Sequence, residues 1–107
     1  LENVTIGSTV TSIDSYAFSG CISLAEITIP ESVVSYGSNV FYDCAALKNV
    51  VINSSYVAAD MFRDSDSLES VTIGNSVTSI GSGAFYKCKK LFRLFCFKLQ
   101  FILGGIL

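Results

Sequence analysis

The sequence contains no histidine and no tryptophan, and it has a single proline among its 107 residues. Without histidine, the chain cannot form the Ser-His or Cys-His pairs that activate many nucleophiles, and it cannot form a histidine zinc site. Charged residues are scarce, at 15%, and the net charge is −2. Because nucleic-acid-binding domains usually carry a basic surface, we do not expect nucleic acid as a partner.

The remaining composition fits one small folded domain. Half of the residues are hydrophobic, which is too many for a disordered segment. No basic stretch followed by an apolar run is present at the start, so we expect no secretory signal in these residues. Charge is uneven: nine acidic and two basic residues precede residue 87, whereas five basic residues and no acidic ones follow from there on.

The sequence repeats itself with a period of 23 residues, which shortens once to 21. Repeats 1 to 4 cover residues 1–23, 24–46, 47–67 and 68–90, and residues 91–107 form a degenerate fifth repeat or an apolar tail. Each repeat opens with the pattern L-x-x-φ-x-φ, where φ is aliphatic, as in Leu24, Ile27 and Ile29. This alternation predicts a short strand with one buried face. A turn residue such as Pro30 follows at once.

The second half of each repeat carries an apolar pair, such as Val33 and Tyr36, and then a phenylalanine. Repeat 3 is two residues short, and we place the loss in its first turn, with Tyr56 and Val57 replacing the apolar pair. Such a unit cannot bury its apolar face alone, so we expect the repeats to stack at about 4.8 Å as a parallel solenoid. The phenylalanines then form an aromatic spine, which consists of Phe18, Phe41, Phe62 and Phe85.

These repeats resemble the BspA-like class of leucine-rich repeats. The resemblance is carried by the strings IPESVVSYGSNVFYDCAAL (29–47) and IGNSVTSIGSGAFYKCKKL (73–91), and it extends from residue 1 to about residue 94. It implies a curved, right-handed solenoid with a parallel β-sheet on the concave side and short extended pieces and single helical turns on the return side. It also implies a bacterial or protist protein that is secreted or lies at the cell surface and acts in adhesion, including adhesion to host matrix proteins.

The third and fifth residues of each strand pattern point away from the core. We call these positions the concave strip, and its members are Asn3, Thr5, Glu26, Thr28, Asn49, Val51, Ser70 and Thr72. Solenoids often bind partners on such a surface, so the strip is our candidate site for a protein ligand. The alternative is that threonine and valine are present because they suit an exposed pleat.

Other reactive residues offer little chemistry. Cys21, Cys44 and Cys88 share one position of the repeat, where repeat 3 has Ser65. They are expected to pack as small buried thiols, with a disulfide between Cys21 and Cys44 as the alternative. The pair Asp64 and Asp66 lacks the rest of a calcium loop, so we expect no metal site, no cofactor and no catalytic group.

The last segment, residues 91–107, is strongly apolar and loses the repeat pattern. It is too short and too interrupted by charge to span a membrane as a helix. Three explanations remain open: a capping strand, a membrane-surface segment, or a reading frame that slipped near residue 91. For function, a surface-located protein-binding module is our first hypothesis, and a structural spacer or truncated piece of a longer array is the alternative.

Overall fold

The computed structural model describes residues 4–91 in full and residues 93–96 by their main chain. Within these residues the chain forms short parallel β-strands and no helix. No helix in this part of the chain is long and apolar enough to cross a membrane. In chain order the strands are β1 Ser12–Ile13, β2 Glu26–Ile29, β3 Ser35–Tyr36, β4 Asn49–Ile52, β5 Tyr56–Val57, β6 Ser70–Ile73, β7 Ser79–Ile80 and β8 Arg93–Cys96.

The strands form one main sheet and two small ones. The main sheet has the order β2-β4-β6-β8, so each repeat from the second onward contributes one strand, in register with the strand before it. The small sheets join β1 to β3 and β5 to β7. This arrangement confirms the predicted leucine-rich-repeat solenoid with a parallel sheet. It also extends the sheet to β8, where Cys96 takes the position of Ile73.

The core lies between the main sheet and the opposite side of the solenoid. In β2 and β4 the side chains alternate between outward and buried positions, and those of Ile27, Ile29, Val50 and Ile52 are almost completely buried. Burial of each such side chain contributes roughly 1.5–3 kcal/mol. The leucine that opens repeats 2 to 4 is also fully buried.

The predicted aromatic spine is confirmed. Phe18, Phe41, Phe62 and Phe85 stack in this order, with ring centroids 5.4, 5.1 and 5.6 Å apart. Neighbouring rings are nearly parallel, at 7°, 17° and 1°. The similar spacing follows from the stacking of equivalent positions in successive repeats.

The stretches 14–22, 37–45, 58–66 and 81–89 run along the side opposite the main sheet, and we call them return segments. They contain turns in which an N–H donates to the carbonyl three residues earlier, as from Ala17 to Asp14 at 3.2 Å. Two positions in each segment have positive φ, at Tyr16, Gly20, Asn39, Asp43, Asp60, Asp64, Gly83 and Lys87. The predicted helical turns are therefore isolated turns, because left-handed residues interrupt a right-handed helix.

Repeat 1 departs from the expectation that every repeat contributes a strand to the main sheet. Residues 4–6 lie outside any strand. In later repeats the residue after the strand donates its N–H to the previous repeat, as Asn53 does to the Ile29 carbonyl at 2.8 Å. The equivalent residue facing repeat 1 is Pro30, which has no N–H. Pro30 therefore cannot make this bond, and within the described residues the main sheet begins at β2.

The prediction for the shortened repeat 3 is half correct. The strand register pairs Val57 with Ile80, so Val57 takes the second apolar position. Tyr56 pairs with Ser79 and does not take the first position. That place, held by valine in repeats 2 and 4, belongs to the fully buried Ser54. The deletion therefore places a hydroxyl inside the core.

Candidate functional site

One row of the concave strip is connected by side-chain hydrogen bonds. Asn49 Nδ2 donates to Glu26 Oε1 at 3.3 Å, and Ser70 Oγ donates to Asn49 Oδ1 at 2.6 Å. Each of these residues belongs to a different strand, β2, β4 or β6, and the strands lie in register. Asn49 is thus held from both sides, with its orientation fixed by its two neighbours.

The second row of the strip runs parallel to the first. Thr5 and Thr28 are exposed, whereas Val51 and Thr72 are half-buried. The register pairs Thr28 with Val51 and Val51 with Thr72, so hydroxyl and methyl groups alternate along this row. The row offers weak polar contacts and a small apolar surface at the same time.

An open hollow of about 600 Å³ lies at the repeat 1 end of the strip. Its volume is comparable to that of small-ligand pockets. Five predicted strip residues line it, namely Thr5, Glu26, Thr28, Asn49 and Val51. The structure therefore brings these residues to one surface, while Ser70 and Thr72 continue the rows beyond the hollow.

Two features of the strip concern its ends. Asn3, the first predicted member, lies outside the described residues. At the other end, the register of β8 places Arg93 beside Ser70 and Phe95 beside Thr72.

Three cysteines, Cys21, Cys44 and Cys88, are free thiols. Cys44 Sγ donates to the Phe18 carbonyl and Cys88 Sγ to the Phe62 carbonyl, both at 3.0 Å. Burial raises the pKa of both thiols to about 11, so they are protonated at neutral pH. This agrees with the predicted packing role, and the alternative disulfide between Cys21 and Cys44 is not formed.

The acidic residues form no recognisable metal centre. Within residues 4–91, no group of three or more potential ligands is arranged to hold a metal ion. Asp64 and Asp66 are exposed, as expected for a solvated loop. They border a cleft between the return segments 37–45 and 58–66. We did not predict this cleft from the sequence, although the shortened repeat 3 indicated that repeats 2 and 3 meet differently from the others.

Comparisons with known proteins agree on one family. The sequence matches the BspA type leucine rich repeat region (6 copies) over residues 1–101. A leucine-rich repeat protein from Bacteroides ovatus is similar in structure, with a TM-score of 0.78 and 32% identity over 85% of this chain and 24% of that one. A leucine rich cell surface protein from Faecalibacterium prausnitzii has a TM-score of 0.66 and 27% identity over 96% of this chain and 34% of that one.

The comparison with curated protein sequences gives no match. The chain spans only 24% and 34% of the lengths of the two similar structures. Both the family match and the stacked parallel strands extend over most of the chain. The chain therefore belongs to the BspA-type leucine-rich repeat family.

Proposed function

We propose that this chain is a non-enzymatic, protein-binding repeat module of a cell-surface protein and that it binds through the concave strip. Leucine-rich-repeat proteins are typically non-enzymatic and use their extended sheet surface for recognition. The name of the similar Faecalibacterium prausnitzii protein supports a surface location. The expected partner is a protein, such as a host matrix or host surface protein.

The observation that carries this proposal is the hydrogen-bonded row of Glu26, Asn49 and Ser70. Side chains that are already fixed before binding lose less conformational entropy when a partner arrives. The neighbouring hollow offers a place for a protruding side chain of the partner. Together, the row and the hollow support recognition by shape and polar contacts rather than by net charge.

Binding to a panel of purified extracellular-matrix proteins, with serum albumin as the negative control, tests the proposal. We expect the double variant Glu26→Ala/Asn49→Ala to bind at least about tenfold more weakly than the wild type, since it removes the fixed polar row. Its unfolding midpoint is expected to stay close to that of the wild type, because both side chains are exposed. The matched control is Asp14→Ala, which changes an exposed residue of a return segment.

A structural spacer remains the second candidate function. The strip contains no tryptophan, tyrosine or arginine among its eight predicted residues, and these types dominate the binding energy of many interfaces. A spacer tolerates the double variant without any change in the behaviour of the parent protein. If neither the wild type nor the variant binds any host matrix or surface protein, the spacer is supported and the binding proposal is rejected.

A further inference from the structure

The hollow at the repeat 1 end of the concave strip lies where repeat 1 does not pair with the main sheet. Residues 4–6 and β2 both line it, but within the described residues no main-chain hydrogen bond joins these two segments. Pro30, which also borders the hollow, has no N–H for such a bond. The outward side chains of β2 therefore border an open space on this side.

Aliphatic side chains form much of the lining of the hollow. Val4, Ile6, Pro30 and Val51 all border it, and each is half-buried, so each keeps part of its apolar surface open to water. A side chain that enters the hollow removes this surface from water, which is favourable. The lining thus suits a partner side chain with an aliphatic stem.

Glu26 supplies the charge of the hollow, and among the described residues that line it no basic side chain offsets this charge. Asn49 Nδ2 donates to Glu26 Oε1 at 3.3 Å, and Asn49 is itself held by Ser70. Because a carboxylate has two oxygens and about four acceptor sites, this bond orients the group and leaves sites for another donor. The hollow therefore combines an oriented negative charge with apolar walls.

Two hydroxyl groups extend the polar part of the lining. Thr5 and Thr28 are exposed, and they border the hollow together with Glu26. A hydroxyl oxygen accepts hydrogen bonds, as a carboxylate does. The three side chains therefore give the hollow several acceptors for one donor-rich group.

This combination of groups matches an arginine side chain better than the other side chains a partner can offer. The guanidinium is planar, carries five N–H donors and is weakly hydrated, so it leaves water readily for a site with several acceptors. The lysine ammonium has three donors and is strongly hydrated. A purely aliphatic side chain displaces water from Glu26 without replacing its hydrogen bonds, which is unfavourable.

We propose that this hollow receives an arginine side chain of the protein partner. The inference rests on the proposed function, and it names the residue type that anchors the partner on the concave strip. The guanidinium donates to the Glu26 carboxylate and to the threonine hydroxyls, while the stem packs against Ile6 and Val51.

The selectivity of the hollow comes from contact and not from long-range attraction. The net charge of the chain is only −2, which is too small to select a basic partner at a distance. Arginine is also one of the residue types that carry most of the binding energy at protein interfaces. The strip itself has none among its eight predicted residues, so the partner supplies this residue.

The test is a titration of the ¹⁵N-labelled full chain with three blocked Gly-X-Gly peptides, in which X is arginine, lysine or the neutral arginine isostere citrulline. We expect the arginine peptide to shift the amide signals of Glu26, Thr28 and Val51. The citrulline peptide is expected to bind about fivefold more weakly, because the charge-assisted contact is lost. The lysine peptide is expected to lie between the two.

One isosteric variant locates the site. Glu26→Gln keeps an acceptor for Asn49 but removes the charge, so we expect it to bind the arginine peptide about fivefold more weakly and the citrulline peptide unchanged. The control Asp14→Asn, in a return segment, leaves both affinities unchanged. The proposal is overturned if the three peptides bind equally, if Glu26→Gln binds like the control, or if no signal of a residue that lines the hollow shifts.

The failure of this inference is distinguishable from the failure of the proposed function. If a matrix protein binds the wild type and Glu26→Gln equally strongly, the arginine anchor is rejected, while protein binding through the strip stands. If no matrix or host surface protein binds, the proposed function is rejected. The peptides still decide in that case whether the hollow prefers arginine.

Discussion

The hydroxyl of Tyr36 lies 2.5 Å from Oγ of Ser54, which donates in turn to the Tyr56 carbonyl at 3.0 Å. The main-chain N–H of Tyr36 donates to the Tyr56 hydroxyl at 3.2 Å, and the two rings meet edge to face at 5.2 Å. These three side chains connect repeats 2 and 3 at the place where β3 and β5 do not pair. A polar side-chain cluster thus replaces a missing main-chain connection.

Removal of the Tyr36 hydroxyl tests the contribution of this cluster. Tyr36→Phe leaves the buried Ser54 with one partner fewer, so we expect the free energy of unfolding to fall by about 1 kcal/mol. The exposed Tyr42 provides the matched control, and Tyr42→Phe is expected to change little. Urea unfolding of both variants measures the difference, and equal effects at the two positions would argue against a stabilising cluster.

The close approach of the glycines predicts a second effect on stability. Gly81→Ala places a methyl group 2.3 Å from the Ala59 nitrogen, so we expect a loss of about 2 kcal/mol or more from overpacking against main chain. A Cβ at Gly7 meets nothing within 4 Å, so Gly7→Ala is the control, with a change within about 0.5 kcal/mol. Thermal or urea unfolding distinguishes the two. A Gly81→Ala protein as stable as the control contradicts the packing described.

The buried thiols predict a dependence of stability on pH. Burial raises the pKa of Cys44 and Cys88 from 9.0 to about 11, so the unfolded chain loses these protons at lower pH than the folded one. The stabilising effect is complete below pH 9 and disappears as the pH rises towards 11. Burial also raises the pKa of the Tyr36 hydroxyl, which acts in the same direction.

Urea unfolding at pH 8 and pH 10 under reducing conditions measures this dependence. We expect the wild type to lose stability between these pH values, and the variant Cys44→Ala/Cys88→Ala to lose less, since it retains only the contribution of Tyr36. Identical slopes in the two proteins would mean that the thiols do not contribute.

The regular parts of the fold could be predicted because each depends on a position within one repeat. Ile27 and Ile29 alternate with polar residues, and every repeat places a phenylalanine at the same step, so strand and spine follow from the period alone. The concave strip is predictable for the same reason. Its hydrogen bonds between Glu26, Asn49 and Ser70 are not, since they depend on side-chain rotamers.

The irregular parts depend on how one repeat meets the next. Pro30 has no N–H to donate to repeat 1, and the return segments of repeats 2 and 3 share no main-chain hydrogen bond. The hydrophobic pattern of a single repeat predicts neither feature, because both concern the contact between two repeats. The sequence alone also does not show that Ser54, and not Tyr56, occupies the position of the valine. This follows from the strand register, which pairs Val57 with Ile80.

Amide hydrogen exchange of the full chain most directly tests the finding that the return segments 37–45 and 58–66 share no main-chain hydrogen bond, unlike the segments of repeats 1 and 2 and of repeats 3 and 4. We predict fast exchange for the N–H groups of Asn39 and Phe41, which have no main-chain partner, and slow exchange for those of Phe18 and Phe62. Slow exchange at Asn39 and Phe41 in the wild type would contradict the account, because it would mean that repeats 2 and 3 are already joined.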